Sequence, residues 1–183
     1  LSRVRRLYLA STNKNASLFM NGVIVSLARM LLFRGGPQNL PASWSLTFLM
    51  VAAYLAQNLI TGQQLGDDGT MAKSLLILSL QVFLLAGLLS WRRHMERFAQ
   101  TLSALAAMGV IFNTITSALL TQSNPEMSQP WLALTWFSVF IWSLFVDAHI
   151  YRNALSVTLS MGMLITVLSL AASYILIEMM FLV

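Results

Sequence analysis

Five long apolar stretches alternate with short polar segments over most of the chain. They occupy residues 41–63, 71–91, 98–120, 131–146 and 153–183. About 20 apolar residues in an α-helix cover the ~30 Å hydrocarbon core of a bilayer, so stretches of this length predict membrane spans. The fourth stretch is short, and it crosses only if Asp147 at its end reaches the headgroup layer. The pattern predicts an all-α, polytopic membrane bundle with five transmembrane helices.

Polar segments rich in glycine, proline and charge separate the stretches. Residues 34–41 hold two glycines and two prolines, which break the chain before the first span. Asn39 can cap the following helix, and Pro41 is tolerated in its first turn. The other predicted connectors are a polar turn at 62–69, a basic connector at 91–97, a loop without cations at 122–130 and a charged connector at 147–152.

Residues 16–33 form a weaker apolar stretch interrupted by polar side chains. On a helical wheel the large apolar side chains share one side, and Lys14, Ser17, Asn21 and Arg29 fall on the other. This is typical of an amphipathic helix lying in the headgroup plane. A signal peptide or a further span are the alternatives, but cations at both ends disfavour a span. We therefore divide the chain into an interfacial segment, residues 1–40, and a transmembrane domain, residues 41–183.

The composition agrees with a membrane protein and limits the chemistry. Hydrophobic residues make up 57% of the chain and charged residues 9%, whereas soluble domains carry about 25% charged residues. There is no cysteine, and the two histidines, His94 and His149, lack metal-ligand spacing. Phosphate-loop, zinc-protease and nucleophile-elbow motifs are missing from the sequence. We therefore expect no enzymatic activity, no cofactor, no metal and no nucleic acid partner.

The cations predict the orientation. Ten of the eleven Lys and Arg residues fall on one side of the predicted membrane, and Lys73 falls on the other with Asp67, Asp68 and Glu126. Short loops rich in Lys and Arg stay in the cytoplasm. We expect a bacterial inner-membrane protein with a cytoplasmic amino terminus and an outward carboxyl terminus. The predicted cytoplasmic basic cluster comprises Arg92, Arg93, Arg97 and Arg152.

Two spans carry small and hydroxyl side chains at helical spacing. In the fifth span these are Thr158, Gly162, Thr166, Ser169 and Ser173, and in the third span Ser103, Ala106, Asn113 and Ser117. Small residues let helix backbones approach closely, and hydroxyl groups can form hydrogen bonds across the contact. Both patterns predict helix-packing seams.

Neutral amides are the main polar groups inside the predicted spans. Gln57, Gln81 and Asn113 could line a polar cavity, but hydrogen bonding between helices is the favoured interpretation. We expect no acid or base near the middle of any span. Asp147 and Glu178 are assigned to span ends. Each could be a substrate or proton group, but such side chains more often reach headgroups or pair with a neighbour.

The block LLFRGGPQNLPAS at residues 31–43, leading into five spans, resembles a type of small bacterial inner-membrane protein. The layout also resembles the Yip-type five-span domain, and this resemblance implies a non-catalytic membrane organiser. Our main hypothesis is a scaffold or accessory subunit that packs in the bilayer against other integral membrane proteins or further copies of itself. The alternatives are a small channel or transporter with a neutral polar cavity, and a lipid-interacting protein that shapes the membrane.

Overall fold

The computed structural model describes residues 19–67, 69–124 and 128–181, and these form a bundle of helices without strands. The helices are α1 (Phe19–Leu31), α2 (Trp44–Gln64), α3 (Thr70–Trp91), α4 (Phe98–Leu120), α5 (Pro130–Leu155) and α6 (Leu159–Phe181). Short 3-10 helices precede α2 and α4, at Pro37–Asn39 and Met95–Arg97. The predicted fold class is confirmed, because α2 to α6 are each long and apolar enough to cross a membrane.

The fourth predicted span differs most from the structure. α5 runs over Pro130–Leu155, so the predicted connector at 147–152 is wrong, and these residues are helical. Only a short linker separates α5 from α6, which begins at Leu159 instead of residue 153. Asp147 therefore lies within α5, eight residues before its last residue, Leu155.

Arginines from the α3–α4 connector donate hydrogen bonds to the last carbonyl oxygens of α5. The Nη1 of Arg97 donates to the carbonyl oxygens of Asn153 and Ala154, at 3.2 Å each. The Nε of Arg92 donates to the carbonyl oxygen of Leu155 at 3.3 Å. The last carbonyls of a helix lack partners within the helix, and they carry a partial negative charge that cations stabilise. Two of the predicted basic residues thus cap a helix from another part of the chain.

The arginine contacts also define one end of the bundle, which we call the basic end: it carries Arg92, Arg93, Arg97 and Arg152. α3 and α5 end there, while α2, α4 and α6 begin there. Gln100 Nε2, for example, donates to the carbonyl oxygen of Leu40 at 2.7 Å, just before α2. Successive helices therefore alternate in direction, as the predicted spans require.

α4 is the most buried of the five long helices, and it packs against α2 along a polar seam. The paired side chains are Thr47 with Ser103 at 2.8 Å, Asn58 with Asn113 at 3.0 Å, and Thr61 with Ser117 at 3.4 Å. Each pair has nearly the same sequence separation, so the two helices run parallel. The Tyr54 ring lies against Gly109, where an added Cβ would be 2.7 Å from the ring. Small residues let α2 approach α4 closely enough for these hydrogen bonds.

The segment predicted to be interfacial contains helix α1, as predicted, and α1 packs against the bundle. Val23 and Met30 of α1 are buried in the core. The Trp142 Nε1 of α5 donates to the carbonyl oxygen of Leu31 at 3.3 Å. The His149 ring bonds the carbonyl oxygen of Gly35 through Nε2 at 2.8 Å. Residues 1–18, with four of the predicted cytoplasmic cations, lie outside the described residues, as do Asp68 and Glu126.

Candidate site: a polar cavity within the bundle

A cavity of about 290 Å³ lies among α2, α3, α5 and α6. Four apolar side chains contribute to its wall: Ile77, Leu84, Leu144 and Leu170. The polar side chains of the wall are Tyr54, Gln81, Asp147, Tyr151, Thr166, Ser169 and Ser173. Polar groups from four helices therefore line one space between these helices, and Leu170 at its edge is exposed.

The cavity lies near the middle of the spans. Three residues of its wall lie ten residues from the terminus of their helix at the basic end. They are Tyr54, counted from Trp44 in α2, Gln81, counted from Trp91 in α3, and Ser169, counted from Leu159 in α6. At ~1.5 Å per residue this is about 15 Å, or half of the ~30 Å hydrocarbon core. The polar wall of the cavity is thus at the depth where water is least available.

Asp147 is the one acid in the wall of this cavity. The expectation that no acid lies near the middle of a span is wrong, since α5 continues past Val146 and turns Asp147 into the bundle. Within the described ranges no side chain donates a hydrogen bond to its carboxyl group, and no cation pairs with it. An unpaired acid at this depth is costly, and such residues usually mark a substrate, ion or proton site.

The hydroxyl groups of α6 present acceptors to the cavity. Thr166 donates to the carbonyl oxygen of Gly162 at 3.0 Å, and Ser173 donates to that of Ser169 at 2.8 Å. A hydroxyl group has one proton and two lone pairs, so each oxygen can still accept a hydrogen bond. Together with the Asp147 carboxyl group, these oxygens form a wall suited to a ligand that donates hydrogen bonds.

Two tyrosines complete the wall. Tyr151 lies one turn after Asp147 on α5, and its hydroxyl group is beside the side chains of Gln81 and Ser169. Tyr54 enters from α2 and rests against the backbone of Gly109. Tyrosine rings attract cations that approach their faces. Both tyrosines therefore bring an aromatic ring as well as a hydroxyl group to the wall of the cavity.

The three amides predicted from the sequence occupy different positions. Gln81 lines the cavity, whereas Gln57 is not part of its wall. Asn113 donates to Asn58 in the α2–α4 seam. Among the buried side-chain atoms of the described residues, only the Nδ2 of Asn58 lacks a hydrogen-bond partner.

Some of the predicted helix-packing residues lie in contacts between helices, and others line the cavity. Gly162 lies against the backbone of Ala148 in α5, while Thr166, Ser169 and Ser173 line the cavity. Thr158 accepts from the backbone N–H of Met161 in the first turn of α6. In the predicted seam of the third span, Ser103, Asn113 and Ser117 form hydrogen bonds to α2, and Ala106 is buried.

The remaining charged groups lie at the ends of the bundle. At the basic end Arg93 and Arg152 are exposed. On α6, Glu178 accepts a hydrogen bond from the Tyr174 hydroxyl group at 2.8 Å. No group of three or more His, Asp or Glu residues with the spacing of a metal site occurs in the part of the chain that the structure describes.

No family model matches this chain, and comparisons with curated proteins and with solved structures give no match. The function is therefore argued from the cavity. Of its central residues, Tyr151 and Tyr54 are not among the sites predicted from the sequence, and Asp147 was placed at a span end with a role in binding only as the less favoured alternative.

Proposed function

We propose that this protein is a membrane-spanning solute-binding protein of the channel or transporter class. Its solute is a small organic cation with N–H donors, such as a primary ammonium ion. The observation that supports this is the unpaired Asp147 carboxyl group in a mid-bundle cavity with further acceptor oxygens. The sequence-based alternative was a small channel or transporter with a neutral polar cavity, and the proposal differs from it because the cavity contains an acid.

The size of the cavity favours an organic cation over a bare metal ion. Its volume of about 290 Å³ is close to the lower limit of small-molecule pockets. A single ion needs ligands on all sides at short distances, and this wall has one carboxyl group. An ammonium group can donate to Asp147 and to Thr166 while its carbon chain contacts Leu144 or Leu170.

The orientation belongs to the same proposal. We place the basic end in the cytoplasm of a bacterial cell, following the distribution of Lys and Arg. The carboxyl terminus is then outside. Cysteine residues introduced singly at Arg93 and at Ser123, in a chain that has none of its own, would be labelled from opposite sides of the membrane.

The binding test compares one carboxyl group in the cavity with one outside it. The protein is reconstituted in nanodiscs, and binding of methylammonium, ethylammonium and butylammonium is measured by calorimetry. Replacing Asp147 with Asn keeps the shape but removes the charge, and we expect affinity to fall at least about ten-fold. Asp67→Asn is the matched control, because Asp67 lies in the α2–α3 turn and pairs with Lys73. Equal affinity in wild-type protein and D147N would refute the proposal.

Transport is tested separately from binding. Liposomes containing the wild-type protein should take up labelled methylammonium faster than liposomes containing D147N. Binding without uptake would identify a solute-binding membrane protein that does not conduct, and would exclude the channel or transporter class.

An accessory role in a membrane complex is the second proposal. The first half of α5 is mostly exposed. The rings of Trp136 and Phe140 are stacked with their centroids 6.3 Å apart, and the side chains of Trp131 and Phe137 are exposed. Such a surface fits a neighbouring helix of another integral membrane protein. Purification in mild detergent should then recover a partner or an oligomer, and a Trp136→Leu, Phe137→Leu variant should lose it. The membrane-shaping alternative gains less support, because Val23 and Met30 of α1 are already buried in the bundle.

A further inference from the structure

A second, larger groove of about 820 Å³ opens at the basic end, between α3 and the α5–α6 linker. Arg92 and Arg152 line its polar part. Leu88, Met161 and Ile165 line its apolar part, and Trp91 lies at the border with 74% of its surface exposed. This groove is separate from the Asp147 cavity and shares no lining residue with it.

The groove changes from charged to apolar along the direction of the membrane normal. Arg92 directly follows the last residue of α3, and Leu88 lies one turn inside that helix. Ile165 is six residues inside α6, or about 9 Å along its axis. Tryptophan at the end of a span is typical of the headgroup layer. The charged part therefore lies at headgroup level, and the apolar part lies along the first section of an acyl chain.

The two arginines have hydrogen-bond donors left for a ligand. Arg92 uses its Nε and one Nη2 hydrogen for the carbonyl oxygens of Leu155 and Ser156, so three of its five N–H groups remain. Those bonds also fix the guanidinium at the groove. The Arg152 side chain has no hydrogen bond or ion pair to any residue that the structure describes.

No acid competes for these arginines within the described part of the basic end. Glu96 follows Arg92 by four residues, and its carboxylate is 3.4 Å from His94 and 3.8 Å from Arg97. Asp147 precedes Arg152 by five residues, and it lines the other cavity. Arg97 is itself bound to the end of α5. The groove therefore has a net positive charge, and a phosphate group would complement it.

We propose that the groove binds one anionic phospholipid. Its phosphate diester lies between Arg92 and Arg152, and one acyl chain follows Leu88, Met161 and Ile165. The anionic headgroup, the interfacial tryptophan and the apolar wall each match one part of such a lipid. The inference does not depend on the solute cavity, since the two sites have different walls.

The experiment measures lipid retention by native mass spectrometry. The full-length protein is released from nanodiscs with equal amounts of phosphatidylglycerol and phosphatidylcholine of the same chain length. We expect wild-type protein to retain phosphatidylglycerol preferentially. Arg152→Gln should reduce that preference about five-fold, the effect of one cation near an anionic headgroup. Arg93→Gln is the matched control, because it removes the same charge from the basic end at a residue that does not line the groove.

A second variant tests the apolar wall. Met161→Gln should weaken retention of phosphatidylglycerol without changing the charge. Elution volume and melting temperature of each variant establish that it is folded, and Arg152 and Met161 are both exposed enough for replacement. Equal losses in R152Q and R93Q would indicate general attraction to the basic end and overturn the proposal. Absence of any lipid preference in the wild-type protein would overturn it as well.

Discussion

Replacing Gly162 with alanine is expected to destabilise the contact between α5 and α6. A Cβ at this position would overlap the carbonyl oxygen of Ala148, and it would lie 3.2 Å from the carbonyl carbon of Ala148 and 3.3 Å from the backbone nitrogen of Arg152. All three atoms belong to the α5 backbone and cannot rotate away. The two helices therefore have to separate by roughly 1 Å, since non-bonded heavy atoms rest near 3.5 Å.

The magnitude follows from two opposing effects. Overpacking a close contact costs about 1–3 kcal/mol. Alanine in place of glycine in a helix recovers up to about 1 kcal/mol through its higher helix propensity. Subtracting a gain of about 1 kcal/mol from that cost leaves an expected net loss of about 0–2 kcal/mol in the free energy of unfolding. Because Thr166 lies one turn further along α6, the displacement should also widen the cavity and weaken ammonium binding.

The assay is reversible unfolding in mixed micelles, followed by tryptophan fluorescence. Gly87→Ala provides the matched control, because Gly87 lies within α3 and a Cβ there would meet nothing within 4 Å. The control should be unchanged or more stable by about 0.5–1 kcal/mol. If G162A and G87A have the same stability, the close approach of α5 and α6 at Gly162 is refuted.

Three further predictions use the same unfolding titration. A double-mutant cycle on Asn58→Ala and Asn113→Ala should give a coupling of about 0.6 kcal/mol, typical of hydrogen bonds between membrane helices; zero coupling would contradict the seam. Arg97→Gln should cost about 1.5 kcal/mol, because the end of α5 loses a charged donor. The hydrogen bond from Lys73 holds the pKa of Asp67 below its usual 3.8. This pair therefore stabilises the fold above pH 3.8, and wild-type protein and Asp67→Asn should converge in stability as the pH falls through the lowered pKa; a gap that persists in acid would contradict this.

Hydropathy predicted the number and type of the long helices, since each needs only enough apolar length to cross a bilayer. α4 begins at Phe98 and ends at Leu120, as predicted, because charged or polar residues mark both of its ends. Only the α4 side of the seam between α2 and α4 could be predicted from the sequence. The small and hydroxyl residues of α4 predicted a contact, but only the fold identifies α2 and its Asn58 as the partner.

The end of α5 could not be predicted from hydropathy, because a charged segment usually marks a loop. A local signal existed, since residues 131–155 contain neither glycine nor proline and can remain helical throughout. Contacts from other parts of the chain stabilise the continuation of α5 past Val146. Arg92 and Arg97 cap the last carbonyls, and His149 is held by the carbonyl oxygen of Gly35. Such contacts have no signature in the sequence of α5 itself.

The site arises from the register between α5 and α6. Once α5 is known to continue, Asp147 and Tyr151 fall on one of its faces by their spacing of four residues. Which groups they meet depends on Gly162, because its close approach to Ala148 fixes the height of α6 against α5. Thr166 and Ser169 follow Gly162 by one and two turns, so the same approach brings their oxygens to the level of the carboxyl group. The small-residue pattern that predicted packing therefore also determines where the acceptors of the cavity lie. A shift of α6 by one turn would move Thr166 and Ser169 along the cavity that Asp147 lines, and it would change the site without unfolding the helix.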